Sequence, residues 1–283
     1  MKNGIRYFIL GLAGLLLLYL SSCESQRADV PAYIQVDSVK VSTNSSLEGT
    51  NKQNITDVWF NLDGSRVGAF EIPACFPVIA EGVYPVSISA GILKSGIHDF
   101  REIYPFFKVV RDTLKFVANQ IIPLTPVFEY KDETQFWIEN FEDPGLKLYT
   151  NDSTNYLVQV VDPDNSENHV GLVYLPDTVD AFQVFTKIDM TLAPTPVYME
   201  IEYKSDEAFG IGIIIKQMGG GTENIRPFTI VKASDKWNKL YLNLAEQFAL
   251  SSGAVSYDVY FFFTSDVGVE THTYLDNIKI LSF

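Results

Sequence analysis

Apolar residues recur at every second position along most of this chain, and this period of two constrains the fold more than any other feature. In the clearest segment, Val197, Met199, Ile201 and Tyr203 alternate with Tyr198, Glu200, Glu202 and Lys204. Successive side chains of a β-strand point to opposite faces, whereas an amphipathic helix repeats every three or four residues. No segment after residue 23 sustains the helical spacing. The sequence therefore predicts an all-β protein, with one core face and one wet face on this strand.

The β-rich part of the sequence divides into two domains at a short polar segment, residues 131–135. Polar, exposed linkers are typical of domain boundaries. Residues 31–130 hold segments for about seven strands, with a hairpin signal at Asp63-Gly64, and predict a small β-sandwich. Residues 136–283 hold roughly eight to ten strand segments, which fits a jelly-roll β-sandwich better.

The N-terminus has the pattern of a secretory signal. Lys2 and Arg6 precede an apolar run over residues 7–20, which is short for a membrane-spanning helix of roughly 20 residues. We therefore expect residues 1–22 to be a signal peptide that is removed, and residues 23–30 to be a tether.

The sequence Leu20-Ser21-Ser22-Cys23 at the end of this signal resembles a bacterial lipobox. The resemblance implies that Cys23 becomes the first residue and carries a diacylglyceryl group and an N-acyl chain such as palmitate. Several acyl chains anchor a protein stably, whereas a single chain binds a membrane only marginally. The alternatives are an ordinary signal peptide with an unmodified Cys23, and an uncleaved anchor.

Composition excludes several classes of protein. Asp and Glu number 35 against 21 Lys and Arg, for a formal charge of −14, which argues against binding to nucleic acid through its phosphates. Two cysteines are too few for a disulfide-rich scaffold or a cysteine-built zinc cluster.

Cys75 lies among apolar residues and is expected to be a small buried side chain. The Gly and Pro residues of the segment 91–105 predict a long exposed loop.

The first half resembles a domain of uncharacterised outer-membrane lipoproteins of the Bacteroidota type. The motifs that carry this resemblance are residues 55–60, 68–73, 76–78 and 104–106. It implies a lipid-anchored protein of the outer membrane. In such lipoproteins, acids just after the lipidated cysteine resemble an export signal, and Glu24 and Asp29 favour the cell surface over the periplasmic face, although both placements stay open.

The second half is similar to jelly rolls of the carbohydrate-binding-module or galactose-binding type. The motifs are residues 136–143, 237–240 and 274–278. In such jelly rolls the first and last strands lie close together, and acids there can hold a structural calcium. Glu142, Asp143 and Asp276 have the oxygen ligands that calcium requires. The alternative is that these acids lie in solvated turns.

Aromatic side chains are the candidate sugar-binding residues of the second half. A sugar site uses an aromatic face for stacking and acids or amides for the hydroxyls. The candidates are Trp137, Trp237, Tyr198 and Tyr260, of which both tyrosines fall on the phase opposite the expected core. The alternative is that all four pack in the interior.

The sequence contains no recognisable catalytic motif, and we expect no catalytic residues and no required cofactor. Glu200 and Glu202 have a spacing that some jelly-roll glycosidases use, but the further acid of that pattern is missing. A solvated strand face explains them, so a glycoside hydrolase is the least favoured function.

Instead, we expect a non-catalytic, lipid-anchored binding or scaffold protein that contacts a protein partner in an outer-membrane complex. The alternative is glycan capture by the second half. A protein-docking surface is expected to be an exposed apolar patch, whereas a glycan site is expected to be a shallow groove with a Trp or Tyr beside amides or acids.

Overall fold

The computed structural model describes residues 29–283, except residues 97–99, 151–155, 188–189, 192–195, 220–221, 225–228 and 249–253. The predicted signal peptide, Cys23 and the first part of the tether lie outside the described residues. Almost every described element is a β-strand, and the all-β prediction is confirmed. The short helices are α1 (Ser45–Glu48), a 3-10 turn (Lys94–Gly96) and α2 (Ala245–Phe248). Within the described ranges, no helix is both long and apolar enough to cross a membrane.

Ten strands build the described part of the N-terminal half: β1 (Ala32–Val36), β2 (Lys40–Ser42), β3 (Asp57–Leu62), β4 (Ser65–Glu71), β5 (Ala74–Val78), β6 (Gly82–Leu93), β7 (Arg101–Ile103), β8 (Val110–Phe116), β9 (Ile121–Leu124) and β10 (Val127–Glu129). One sheet has the order β4-β3-β6-β7 with β8 also on β6, a second has the order β5-β1-β9, and β10 pairs with β2. The sequence pattern predicted about seven strands because strands of three residues, such as β2, β7 and β10, show too few alternations to be recognised.

Thirteen strands build the described part of the C-terminal half: β11 (Gln135–Glu139), β12 (Leu148–Tyr149), β13 (Leu157–Asp162), β14 (Asn165–Leu175), β15 (Ala181–Thr186), β16 (Met190–Thr191), β17 (Tyr198–Ser205), β18 (Phe209–Gln217), β19 (Thr222–Asn224), β20 (Thr229–Val231), β21 (Ser234–Asn243), β22 (Ala254–Thr264) and β23 (Thr271–Ser282). The interface sheet has the order β13-β14-β23-β17-β21 with β11 on β23. The far sheet has the order β12-β15-β22-β18-β19, with β16 on β22 and β20 on β18. The two sheets enclose an apolar core, as in a jelly-roll sandwich.

The hairpin predicted at Asp63-Gly64 joins β3 to β4. Both residues have positive φ, 46° and 77°, as a two-residue hairpin turn requires. Val58 and Phe60 of β3 are fully buried. The Asp63-Gly64 turn and the apolar alternation of β3 therefore favour the same pairing register between β3 and β4.

Two expectations for the N-terminal half are wrong. Residues 91–105 do not form a long exposed loop, because β6 continues to Leu93 and pairs with β7, and Tyr104 then lies buried. Cys75 is exposed. It lies on the edge strand β5, where alternation turns Phe76 and Val78 inward and leaves Cys75 on the outer face.

The face of β17 that was expected to be wet is covered by the N-terminal half. Tyr198 packs at 5.5 Å from Tyr104 and 5.8 Å from Phe106, measured between ring centroids. Glu200 and Glu202 are 0% and 1% exposed. The alternation correctly predicted that these side chains point away from the jelly-roll core. The N-terminal half covers them, so β17 is buried on both faces.

Glu200 is the centre of the contact between the two halves. Its Oε1 accepts hydrogen bonds from the hydroxyls of Tyr104 at 2.6 Å and Tyr130 at 2.8 Å. Its Oε2 lies 2.8 Å from the ammonium of Lys239 and 3.6 Å from that of Lys279. The tyrosines belong to the N-terminal half and the lysines to the strands that flank β17, so one buried carboxylate joins the two halves.

Burial and the two lysines act in opposite directions on Glu200. Burial disfavours its charged form, but Lys239 and Lys279 prevail and lower the pKa of the carboxyl to about 2. Burial also opposes the charge on Lys239, yet the carboxylate raises the pKa of that lysine. Burial and the neighbouring Lys239 lower the pKa of Lys279 to about 8. At neutral pH, the centre therefore holds an ionised carboxylate between two ammonium groups.

Removal of the Glu200 carboxylate should destabilise the protein strongly. Glu200→Ala leaves Lys239 and Lys279 buried without their main counter-charge, and breaking a buried ion pair in this way costs about 3–5 kcal/mol. Urea unfolding monitored by tryptophan fluorescence measures the change. The control is Glu207→Ala at an exposed turn after β17, for which a change within about 0.5 kcal/mol is expected. Equal losses in the two variants would contradict this account.

Candidate functional site

A cleft of about 540 Å³ opens beside this contact, between the N-terminal half and the interface sheet. We call it the interdomain cleft. One wall comes from β2 and from the segment between α1 and β3, and the other from β17 and β21. Its lining residues are Val39, Lys40, Val41, Asn51, Lys52, Gln53, Asn54, Glu202, Trp237, Asn238 and Lys239.

Asn54 fixes the N-terminal wall against β21. Its side-chain amide donates to the carbonyl of Lys239 at 2.9 Å and to Asn238 Oδ1 at 3.4 Å. Its backbone N–H donates to the hydroxyl of Tyr241 at 3.3 Å. These contacts join positions that are far apart in sequence, so the shape of the cleft depends on the docking of the two halves.

The turn after α1 is held on β17 and β23 by a second set of contacts. The Thr50 hydroxyl donates to Glu202 Oε1 at 2.5 Å, and its backbone N–H donates to Asn277 Oδ1 at 3.1 Å. Gly49 makes this approach possible, since it has a φ of +75° and a Cβ there would lie 2.5 Å from Asn277 Oδ1. A side chain at position 49 is therefore excluded by both backbone conformation and space.

Trp237 is the aromatic side chain in the cleft. Alternation along β21 turns Leu240 and Leu242 toward the jelly-roll core, while Trp237 and Lys239 face the cleft. The indole N–H donates to Asp162 Oδ1 at 3.3 Å, which orients the ring. The ammonium of Lys52 lies 4.8 Å from the ring centroid. The ring is half-buried, so part of it faces solvent.

Glu202 forms the base of the cleft. Its Oε2 lies 3.3 Å from the ammonium of Lys52, and Oε1 lies 3.8 Å from that of Lys239. Among the described residues, Oε2 has no hydrogen-bond donor in good geometry. A buried carboxylate oxygen without a donor is costly unless a ligand or water supplies one.

Asp276 lies behind Glu202 on β23 and is fully buried. It accepts hydrogen bonds from the side-chain amide of Asn168 at 3.1 Å and from the backbone N–H of Asn277 at 2.7 Å. Burial, followed by the charge of Glu202, raises the pKa of Asp276 to about 7. The charge behind the cleft therefore changes near neutral pH.

The four predicted stacking residues do not meet at one site. Trp237 lines the interdomain cleft, whereas Trp137 packs on the jelly-roll core. Tyr198 is enclosed between the halves, so it does not lie on an open face as expected. Tyr260 is 4% exposed on the far sheet, with its ring against Gly212, where a Cβ would lie 2.5 Å from a ring carbon. Alternation showed which face each residue occupies, but not what covers that face.

The acids predicted to hold calcium are also separated. Glu142 accepts a hydrogen bond from the backbone N–H of His169 at 3.0 Å and lies 3.2 Å from its ring. Asp143 is exposed, and Asp276 is buried beside Asn168. In the described ranges, no three or more His, Cys, Asp or Glu side chains are grouped so as to hold a metal. Structural calcium stays a prediction.

The amide side chains that the N-terminal half contributes to the cleft were not predicted from the sequence. Residues 51–54 read Asn-Lys-Gln-Asn, directly before a buried strand, and three of these four side chains are amides. That density of amides was the available signal. Residues 51–54 belong to the half of the chain without a sugar-binding resemblance, and a run of amides is equally typical of an exposed loop.

No protein-family model matches this sequence, and no curated protein matches it. Solved structures with some likeness include a family 11 carbohydrate-binding module from Clostridium thermocellum, with 10% identity, a TM-score of 0.37 and coverage of 51% of this chain and 94% of that one. Another is the CBM22-1 xylan-binding domain from Paenibacillus barcinonensis, with 12% identity, a TM-score of 0.39 and coverage of 51% and 91%. Since both scores are below 0.5, no ligand follows from the likeness.

The stability of the protein should depend on pH through Asp276. Because the pKa of this group is raised from 3.8 to about 7, the folded protein keeps a proton that the unfolded chain has already lost at pH 5. The free energy of unfolding should therefore fall as pH rises from 5 to 8, by roughly 2 kcal/mol. Asp276→Asn should flatten this decline and be the more stable protein at pH 8.

Urea unfolding of both proteins at pH 5, 6, 7 and 8 checks this expectation. The difference between the unaltered protein and Asp276→Asn isolates Asp276, because groups that titrate alike in both proteins contribute equally to the pH dependence of their stability. Glu200, with a pKa lowered to about 2, contributes below this window, and Lys279, with a pKa lowered to about 8, contributes at and above its upper end. Parallel pH profiles for the two proteins would show that Asp276 does not titrate as described.

Proposed function

We propose that this protein is a non-catalytic saccharide-binding protein and that the sugar binds in the interdomain cleft. The observation that carries the proposal is the lining of the cleft, in which the half-buried ring of Trp237 stands beside amide side chains and the carboxylate of Glu202. The amides are those of Asn51, Gln53, Asn54 and Asn238.

This combination suits a polyhydroxylated ligand. A sugar hydroxyl both donates and accepts hydrogen bonds, and an amide side chain offers two donors and an acceptor. The C–H face of a sugar ring packs on an aromatic ring, which Trp237 provides. Glu202 Oε2 lacks a donor in good geometry, and a hydroxyl would supply one. Ligand sites commonly combine an apolar surface with a few convergent polar groups in this way.

The geometry of the acids favours binding over hydrolysis. A glycosidase places two carboxyl groups about 5–9.5 Å apart on either side of the scissile bond, both within reach of the sugar. Glu200 is fully buried and is held by two tyrosines and two lysines. Its pKa of about 2 also keeps it ionised, so it does not supply the proton that a catalytic acid must give.

The protein-partner role expected from the sequence is less well supported than sugar binding. That role requires an exposed apolar patch, whereas the cleft lining contains more polar than apolar side chains. A shallow groove with a Trp beside amides and an acid was the sequence criterion for a glycan site, and the cleft meets it.

We also propose that lipid attachment at Cys23 holds this binding protein at the outer membrane. The support is the lipobox-like sequence Leu20-Ser21-Ser22-Cys23 after a basic and apolar leader. A tether of a few residues then precedes β1, which begins at Ala32. The sugar-binding cleft would be presented close to the membrane that carries it.

Loss of the Trp237 ring should weaken sugar binding strongly. A glycan array that contains neutral and acidic oligosaccharides identifies a ligand, and titration calorimetry then gives its Kd. Trp237→Ala should raise Kd at least about tenfold, since aromatic anchors dominate such sites. Trp237→Phe should lose less, because it keeps an aromatic face. Trp59→Ala, in the N-terminal half and outside the cleft lining, is the control. No binding to any glycan, or equal Kd values for Trp237→Ala and the unaltered protein, would refute the proposal.

Replacement of Cys23 should release the protein from the membrane. In cells fed an alkyne fatty acid, the unaltered protein should be labelled and partition into detergent, whereas Cys23→Ser should be unlabelled and lose that partitioning. Cys75→Ser is the matched control and should remain labelled. Labelling that persists in Cys23→Ser would rule out this residue as the lipid site.

A further inference from the structure

We propose, on the basis of the proposed sugar-binding function, that the interdomain cleft selects acidic saccharides and that Lys52 determines this selectivity by pairing with the carboxylate of a uronic acid. Two observations support this: several of the charges that line the cleft are already paired inside the protein, and Lys52 lies beside the ring of Trp237.

The cleft reverses the charge of the chain as a whole. The sequence has 35 acidic residues against 21 basic ones. The ionisable side chains that line the cleft are three lysines, Lys40, Lys52 and Lys239, and one acid, Glu202. Local charge of the opposite sign in a cleft attracts a ligand that the rest of the surface repels.

Lys239 and Glu202 are occupied within the protein. Lys239 is 4% exposed, lies 2.8 Å from Glu200 and donates to the carbonyl of Lys52 at 3.0 Å. Glu202 is 1% exposed, and one of its oxygens accepts from Thr50. Glu202 lies 3.3 Å from Lys52 and 3.8 Å from Lys239, and Lys239 and Lys279 both face Glu200, so the two glutamates balance two of the three ammonium groups around them. The positive charge that a ligand meets is therefore that of Lys40 and Lys52.

Lys52 is placed to contact a sugar on Trp237. Its side chain is 45% exposed, and its ammonium lies 4.8 Å from the centroid of the indole ring. Because the ammonium lies over the indole ring, a sugar that packs on this ring either displaces the ammonium or lies beside it, and it contacts Lys52 in both cases. The contact of Lys52 with Glu202 is an ion pair at 3.3 Å without a good hydrogen bond, so this lysine keeps donors for a ligand.

Two further acids lie near the cleft but do not line it. Asp162 is 4% exposed and accepts from the indole N–H of Trp237. Asp276 is fully buried behind Glu202 and accepts from Asn168 and Asn277. Both are directed into the protein, so they orient the site, whereas Lys52 presents its charge to the ligand.

An acidic sugar should bind Lys52 more tightly than its neutral counterpart. A uronate carboxylate forms a charge-assisted hydrogen bond with an ammonium, which is stronger than the bond from a neutral hydroxyl. The remaining hydroxyls use the amides of the cleft in either case. The expected preference for the acid over the neutral sugar is about tenfold in Kd at low salt, and it should shrink as salt screens the pair.

The test compares three uronic-acid oligosaccharides, from galacturonate, glucuronate and mannuronate, with the same oligomers after reduction of their carboxyl groups to alcohols. Titration calorimetry with the mature, full-length protein gives each Kd at low and high sodium chloride. At least one acid should bind about tenfold more tightly than its reduced form at low salt. Lys52→Gln should bring that ratio close to one. Lys236→Gln removes a lysine one residue from Trp237 but outside the cleft lining, and it should keep the ratio.

The failures of the two proposals are distinguishable. Binding of the reduced oligomers as tightly as the acids would overturn the charge selection and leave sugar binding intact. An unchanged ratio in Lys52→Gln would overturn the role of Lys52 and also leave sugar binding intact. Competition by inorganic phosphate at the same concentration as the uronate would also overturn it, since the cleft would then recognise charge without a sugar. Absence of binding to any oligosaccharide on the array would overturn the proposed function itself.

Discussion

Glu200 carries a full negative charge in the interior of the protein, and the relation between the two halves depends on how that charge is stabilised. The N-terminal half contributes the hydroxyls of Tyr104 and Tyr130, and the interface sheet contributes the ammonium groups of Lys239 and Lys279. Removing two or three charges from water costs several kcal/mol per ion, which excellent geometry must offset. Separation of the halves would remove the tyrosine donors and expose the apolar surface around them. The same contact therefore fixes both the docking of the domains and the walls of the interdomain cleft.

Sheet register explains how these charges come together. On β17, Glu200 pairs directly with Lys279 of β23, and Glu202 pairs directly with Lys239 of β21. Opposite charges across neighbouring strands stabilise a sheet. These charge pairs are formed by strands of the jelly roll alone and do not require the N-terminal half. A slip of one residue on β17 would turn Met199 and Ile201 outward and the glutamates into the apolar core. The apolar and ionic faces of β17 thus specify the same register.

The sequence predicted those parts of the fold that depend on local chemistry. Alternation identified the strands, Asp63-Gly64 identified a hairpin, and parity assigned Glu200 to the face opposite the jelly-roll core. What covers that face was not predictable, because alternating polar residues have the same pattern whether solvent or another domain lies over them. Tyr104 was misplaced for the same reason, since Gly and Pro residues nearby indicated a loop and gave no sign of its buried partner. Trp237 was identified as a candidate, but three of the four amides beside it, Asn51, Gln53 and Asn54, come from the other half, and only the tertiary structure brings them to Trp237.

The cleft is preorganised because its two walls are fixed by contacts that a ligand does not have to make. Asn54 and Thr50 tie the N-terminal wall to buried strands, and Asp162 orients the indole of Trp237. A ligand then loses little free energy in ordering the site, which raises affinity without further contacts. Lys52 differs from these residues: its backbone carbonyl is held by Lys239, while the contacts of its half-exposed ammonium with the described part of the chain are ionic and cation–π. Under the proposed function, this fixed frame lets the amides and the indole accept sugars in general, and the proposed discrimination between an acidic and a neutral sugar is assigned to the exposed charge of Lys52.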